Sequence, residues 1–118
     1  ATGRPAHILH VSTAQELDYL KDFRDLATCE VLVNHLTQVA PDCYETLKGF
    51  GVMNPPIRGR EHLEAAWRAI DDGTVDTVGS DHAPHARAKK LLPWPDCPAG
   101  LTGNSRKISV WSIPISFR

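Results

Sequence analysis

The sequence has no surplus of charge of either sign. Thirteen Lys and Arg stand against 14 Asp and Glu, a net charge of -1 at neutral pH, so there is no basic field to concentrate a polyanion and no acidic tail. Nucleic acid and an anionic membrane surface are therefore poor partners. No apolar run approaches the roughly 20 residues that a bilayer requires, and the first residues lack the basic-then-apolar pattern of a secretory leader. The expectation is a soluble, cytoplasmic chain. Cysteine is sparse: Cys29, Cys43 and Cys97 are odd in number, far apart and never in C-x-x-C, which supports neither a disulfide framework nor a zinc ribbon. They read as free thiols that pack in the core. What is present is ordinary: 118 residues, 42% hydrophobic and 23% charged, enough for one modest domain with a real core and too apolar for disorder throughout.

Residues 6–11, Ala-His-Ile-Leu-His-Val, lie between Pro5 and Ser12-Thr13 and predict a buried strand. Thr13 and Glu16 have capping-box spacing, in which a hydroxyl accepts an N–H three residues on and a carboxylate reaches back. The helix they open presents Leu17, Leu20, Phe23, Arg24 and Ala27 along one side. Residues 29–33 predict a second strand, ending at Asn34-His35. Residues 41–48 predict a short helix with Pro41 in its first turn and Gly49 past its end. Residues 51–58 form a stiff connector, because each of Pro55 and Pro56 fixes its own φ and holds the preceding residue extended. Residues 60–71 place Leu63, Ala66, Trp67 and Ile70 on one helical face, with Trp67 in the core, and a third strand follows at 74–78. Such alternation argues for a parallel α/β arrangement with right-handed crossovers.

Residues 86–103 contain Pro93, Pro95 and Pro98 and a basic cluster of Arg87, Lys89 and Lys90, and predict a long loop of the kind found at active sites. After Gly103 the character changes. Trp111, Ile113, Ile115 and Phe117 alternate with Ser112, Pro114 and Ser116, a strand-like period of two that Pro114 would confine to a sheet edge.

The stretch most suited to chemistry is Gly79-Ser80-Asp81-His82-Ala83-Pro84-His85. It delivers an acid and two imidazoles to the C-terminal end of a strand, where parallel α/β folds place reactive groups. Metal or proton chemistry is one reading; a turn in which Asp81 caps local N–H groups and the histidines are solvated is the other. His10 holds the equivalent position after the first strand, as a ligand or as a core histidine bonded to backbone. His7, three residues earlier, points to the opposite face. The proline-stiffened connector either aims the Asn54 amide and the Arg58 guanidinium at a ligand or simply spans two elements.

Four motifs in order over about the first hundred residues resemble the cyclic amidohydrolases, and most closely the dihydroorotases. They are His7-Ile8-Leu9-His10-Val11-Ser12-Thr13, Cys29-Glu30-Val31 leading to His35-Leu36-Thr37, Met53-Asn54-Pro55-Pro56-Ile57-Arg58, and Gly79 to His85 as quoted above. The resemblance implies a metal-dependent (β/α)8 TIM barrel, of which residues 1–103 would supply approximately strands six to eight with their helices. By the same resemblance His10 is a metal ligand, and Asp81 is both a metal ligand and the catalytic proton shuttle. Asn54 and His85 bind substrate, and His35 and His82 play supporting parts. The implied cofactor is zinc, two ions per complete site. The implied reaction is the reversible opening of dihydroorotate to N-carbamoyl-L-aspartate in pyrimidine biosynthesis, and hydantoinases and allantoinases share the apparatus. The D-H-A-P-H form favours dihydroorotase among them.

The chain also departs from that family. No two of its six histidines are separated by one residue, so the strand-one H-x-H pair is absent, as are the strand-four lysine and the strand-five histidine. About two of six protein ligands remain, where a catalytic zinc normally needs about three plus water, and a complete barrel takes about 250 residues. The isolated chain is expected to be inactive, with a complementing barrel fragment or a second copy as its protein partner and a cyclic amide as its small-molecule one. Residues 104–118 read as a divergent tail of a truncated or frame-shifted product. Two other readings compete: a non-catalytic scaffold of amidohydrolase ancestry, and a mononuclear metal site built from Asp81, His82 and His85.

Overall fold

The strand that runs through the middle of the molecule is Ala27–Leu32 (β2). In the computed structural model, which describes residues 2–102, it pairs in parallel with Ala6–Ile8 (β1) on one side and Thr77–Gly79 (β3) on the other. Ile8 lies opposite Cys29, and Leu32 opposite Gly79. β2 is packed on both faces, and Cys29, Val31 and Leu32 are no more than 2% exposed. Among the described residues β1 and β3 pair on one side only, so Ile8 and Val78 remain 39% and 38% exposed. The buried strand expected over 6–11 is thus a three-residue edge strand. Burial starts just beyond it, at Val11, whose N–H donates to Glu30 O at 2.8 Å.

The third strand begins later than its β-branched residues suggest, because Asp72 and Asp76 take up the preceding segment. The Asp72 carboxylate accepts the Thr74 N–H at 2.9 Å and the Thr74 hydroxyl at 2.5 Å. The Asp76 carboxylate accepts the Cys29 N–H at 2.8 Å.

Helix α1 (Ala14–Lys21) starts at the expected capping box. The Thr13 hydroxyl accepts the Glu16 N–H at 3.2 Å, and the Glu16 carboxylate takes the N–H groups of Thr13 and Ser12 at 3.0 and 3.2 Å. Partial burial pushes the Glu16 carboxyl up, but these hydrogen bonds and the Arg58 charge outweigh it and hold it below its ordinary value. Thr13→Ala should therefore cost about 1 kcal/mol, read as a lower urea midpoint at neutral pH. An unchanged midpoint would show that the cap contributes nothing. The helix stops at Asp22, so the expected apolar face is cut short. Phe23 lies in the following turn against the Tyr19 ring, 4.8 Å between centroids, and Ala27 already belongs to β2.

Helix α4 (Arg60–Asp71) buries Ala65, Ala66 and Ala69 against Val11, Leu17, Cys29, Val31 and Leu36. The buried strip is thus made of small side chains, and Trp67 lies outside it. That residue is 47% exposed and donates its indole N–H to Leu36 O at 2.9 Å, so the expected core tryptophan is a half-exposed clasp instead.

A second core forms where Leu32 meets Cys43, Met53, Ile57 and Leu101, and it gathers the segments that follow the strands. These are α2 (Val33–Thr37), unforeseen in the sequence, then α3 (Asp42–Leu47) with Pro41 at its N-cap, and a 3-10 turn at Lys48–Gly51. A short helix α5 (Arg87–Lys90) interrupts the expected loop. All three cysteines are free and buried. The alternating stretch at 111–117 lies outside the described residues.

Candidate functional site

Because the strands are parallel, the residues that follow them share one edge of the sheet. His10 comes two residues after β1, His35 sits in α2 directly after β2, and Asp81 comes two residues after β3. His10 and Asp81 are alike in an uncommon way: each is an exposed non-glycine residue with φ of +42°. The left-handed region disfavours residues with a Cβ, histidine and aspartate less than most, and unfavourable backbone of this kind gathers at functional sites. Lys48, with φ of +50°, ends helix α3; His10 and Asp81 follow strands, where no helix end asks for that conformation. Among the described residues no hydrogen bond or ion pair engages the Asp81 carboxylate, so the local-cap reading of Asp81 finds no partner there.

His35 is 5% exposed, and its Nε2 donates to Pro55 O at 3.1 Å. It thereby fixes the residue next to Asn54, which is itself exposed between the buried Met53 and Ile57. Burial pushes the His35 imidazole below its ordinary value. The Pro55 and Pro56 backbone contacts pull the other way, and the charges of Arg58 and His10 push further down. The folded state therefore prefers neutral His35, while the unfolded chain protonates at the ordinary value near 6.5. Its contribution to stability is full above that pH and is lost as the pH falls below it towards the folded value. Thermal scans from pH 7.5 to 5 should show a drop that His35→Gln flattens; parallel curves for the two proteins would sink the assignment. Four buried polar atoms, His35 Nδ1, Asn34 Nδ2, Gln38 Oε1 and Arg58 Nε, have no hydrogen-bond partner among the described residues. Arg58 is partly buried, whereas Asn54 is exposed.

His85 is oriented from the other side. Its Nε2 donates to Ala99 O at 2.8 Å, which leaves Nδ1 as the acceptor of the neutral ring. Gly100 makes this approach possible: at φ of +139°, an added Cβ would lie 2.6 Å from Ala83 O and 2.8 Å from His85 Nε2. Leu101 bridges to His82 and accepts the Ala83 N–H at 2.9 Å. The D-H-A-P-H turn and residues 99–101 are thus one unit. Lys90, part of the basic cluster noted in the sequence, is 4% exposed and bonds to the carbonyls of Pro98 and, within this unit, Gly100.

The sheet edge carries His10 and Asp81 as metal-type donors, yet among the described residues no three His, Cys, Asp or Glu side chains form a group that could hold a metal ion. A zinc site needs about three protein ligands, so these residues do not by themselves fit the metal centre that the family resemblance implies. The same observation removes the mononuclear site of Asp81, His82 and His85, whose His85 Nε2 is committed to Ala99 O. A groove of about 880 Å³, lined by Tyr44, Leu47, Phe50, Met53, Leu91 and Trp94 among others, includes none of His10, Asn54, Asp81 and His85. No helix among the described residues is long and apolar enough to cross a membrane.

Comparison with solved structures places this arrangement. D-hydantoinase (dihydropyrimidinase) from Thermus sp. superposes with a TM-score of 0.74 at 26% identity, over 86% of this chain and 24% of that one. D-hydantoinase from Bacillus sp. AR9 superposes with a TM-score of 0.73 at 27% identity, over 85% and 24%. The fold is that of part of an α/β amidohydrolase. In sequence, the dihydroorotase of Methanosarcina acetivorans is 39% identical over 107 residues, 83% of this chain and 23% of that protein. That of Halobacterium salinarum is 40% identical over 101 residues, 86% and 23%. The chain belongs to the cyclic amidohydrolases, and both of these sequence relatives are dihydroorotases. It spans about a quarter of their length. No family model matches it.

Proposed function

We propose that residues 1–103 are the strand-six-to-eight portion of a dihydroorotase-like barrel, with β1, β2 and β3 as those strands and the cleft at their C-terminal ends. The substrate is a cyclic amide, dihydroorotate in the first instance, opened to N-carbamoyl-L-aspartate. Asp81 is the catalytic group. It takes a proton from the attacking water as the O–C bond forms, and delivers it to the ring nitrogen as the C–N bond breaks. His10 and Asp81 would be this portion's share of the ligands of a zinc centre, which would polarise the ring carbonyl and activate the attacking water. Asn54 and His85 hold the substrate's carboxylate and ring amide.

The observation that carries this reading is the shared left-handed backbone of His10 and Asp81 at one sheet edge. It separates two side chains with no hydrogen-bond partner among the described residues from the many solvated residues around them. Sequence relatives favour dihydroorotase over hydantoinase, as does His85 after the proline; the structural neighbours are hydantoinases, which makes a hydantoin ring the second substrate to assay. The non-catalytic scaffold reading has no observation of its own in its favour. The test is a chimera in which residues 1–103 replace the matched stretch of the Methanosarcina acetivorans enzyme. Ring opening of dihydroorotate at a rate within about tenfold of the parent is expected, and a folded but silent chimera would refute the proposal.

A further inference from the structure

Lys90 is a long cationic side chain held in the interior. Its Nζ lies 3.0 Å from Val52 O, 2.9 Å from Pro98 O and 2.9 Å from Gly100 O. An ammonium has three N–H donors and no acceptor, so the three carbonyls use it fully. Among the described residues no carboxylate pairs with it within ion-pair distance. A buried charge satisfied only by backbone carbonyls fixes the segments that supply them, because any separation leaves the charge unsolvated.

Those segments are the two that carry the proposed substrate contacts. Val52 lies two residues before Asn54, and its carbonyl also accepts the Gly100 N–H at 3.0 Å. Pro98 and Gly100 flank Ala99, whose carbonyl orients His85. Cys97 adds a second tie, its thiol donating to Gly49 O at 3.3 Å, and Gly49 packs so tightly on the Lys90 carbonyl that no Cβ would fit between them. We propose that Lys90 is a positioning residue, a cationic clip that sets the Asn54 segment and His85 in fixed relation across the cleft. Its bearing on substrate rests on the roles given above to Asn54 and His85. The clip itself is a matter of geometry and is tested without substrate.

The experiment is amide hydrogen exchange and imidazole NMR on the full 118-residue chain, comparing wild type with Lys90→Met, which keeps the stem and removes the charge. Exchange at Gly100 and Ala83 should accelerate at least tenfold and the His85 Nε2–H resonance should broaden or vanish, with Val31 and Leu32 in β2 unchanged. Unchanged exchange at Gly100, or an equal acceleration in β2, would overturn the clip. If Lys90→Met does not fold, Lys90→Gln, which retains two N–H donors on a shorter stem, must loosen the same amides selectively. Collapse of both variants would make Lys90 a general folding residue and overturn the positioning role. In the chimera described above, Lys90→Met should raise KM for dihydroorotate more than it lowers kcat. A silent wild-type chimera would count against the proposed function, and the exchange result would still decide the clip.

Discussion

Asp81→Asn in the dihydroorotase chimera should lower ring-opening turnover by about 10²- to 10⁴-fold, the range that a positioned acid–base group contributes. Asparagine is the informative replacement because Asp81 sits at φ of +42°. It tolerates the left-handed region about as well as aspartate, so the backbone keeps its course and only the proton-accepting oxygen is lost. Alanine would combine a chemical change with a conformational one. The assay is initial-rate ring opening, with the far-ultraviolet spectrum of the chimera as the control for folding. Asp81→Asn turning over within threefold of the parent would remove Asp81 from the chemistry.

Leu32→Ala should destabilise the chain by about 2–5 kcal/mol, the range for truncating a fully buried leucine. Leu32 has no exposed surface and is the contact through which the central strand reaches Met53, Ile57 and Leu101. A domain of this size has about 5–15 kcal/mol in total. Here two strands also pair on one side only among the described residues, which leaves less in reserve. Urea denaturation of Leu32→Ala should therefore shift the midpoint far more than Leu91→Ala, where the leucine is 64% exposed and about 0.5 kcal/mol or less is expected. Equal shifts would mean that the second core does not hold the post-strand segments together.

Features written in local chemistry were legible in the sequence. The Thr13 capping box, the helix ending at Asp71 and the placement of His10 and Asp81 after strands rest on spacings of a few residues, and the structure has them. What depended on distant neighbours was not legible. The apolar run at 6–11 cannot reveal that its strand pairs on one side among the described residues and shrinks to Ala6–Ile8. The helical face through Leu63 and Trp67 cannot reveal that the buried strip is the one of Ala65, Ala66 and Ala69. Lys90 is the sharpest case. Its neighbours in sequence, Arg87 and Lys89, are exposed, and three backbone carbonyls from two other segments leave no side-chain pattern to find. For the site, the residue types of Asn54 and His85 were readable, whereas the hydrogen bonds that orient them, from His35 to Pro55 and from His85 to Ala99, were not.

The central claim is that this chain carries one wall of a divided cyclic-amidohydrolase site, with His10 and Asp81 in it. Its most direct test is dihydroorotate ring opening in the presence of zinc by the 118-residue chain alone, by the remaining three quarters of a relative's barrel alone, and by the two combined. The prediction is background turnover from either part and Asp81-dependent turnover from the mixture. Robust turnover by the chain alone, lost in Asp81→Ala, would contradict the claim, because a site complete within these residues would not need the other wall.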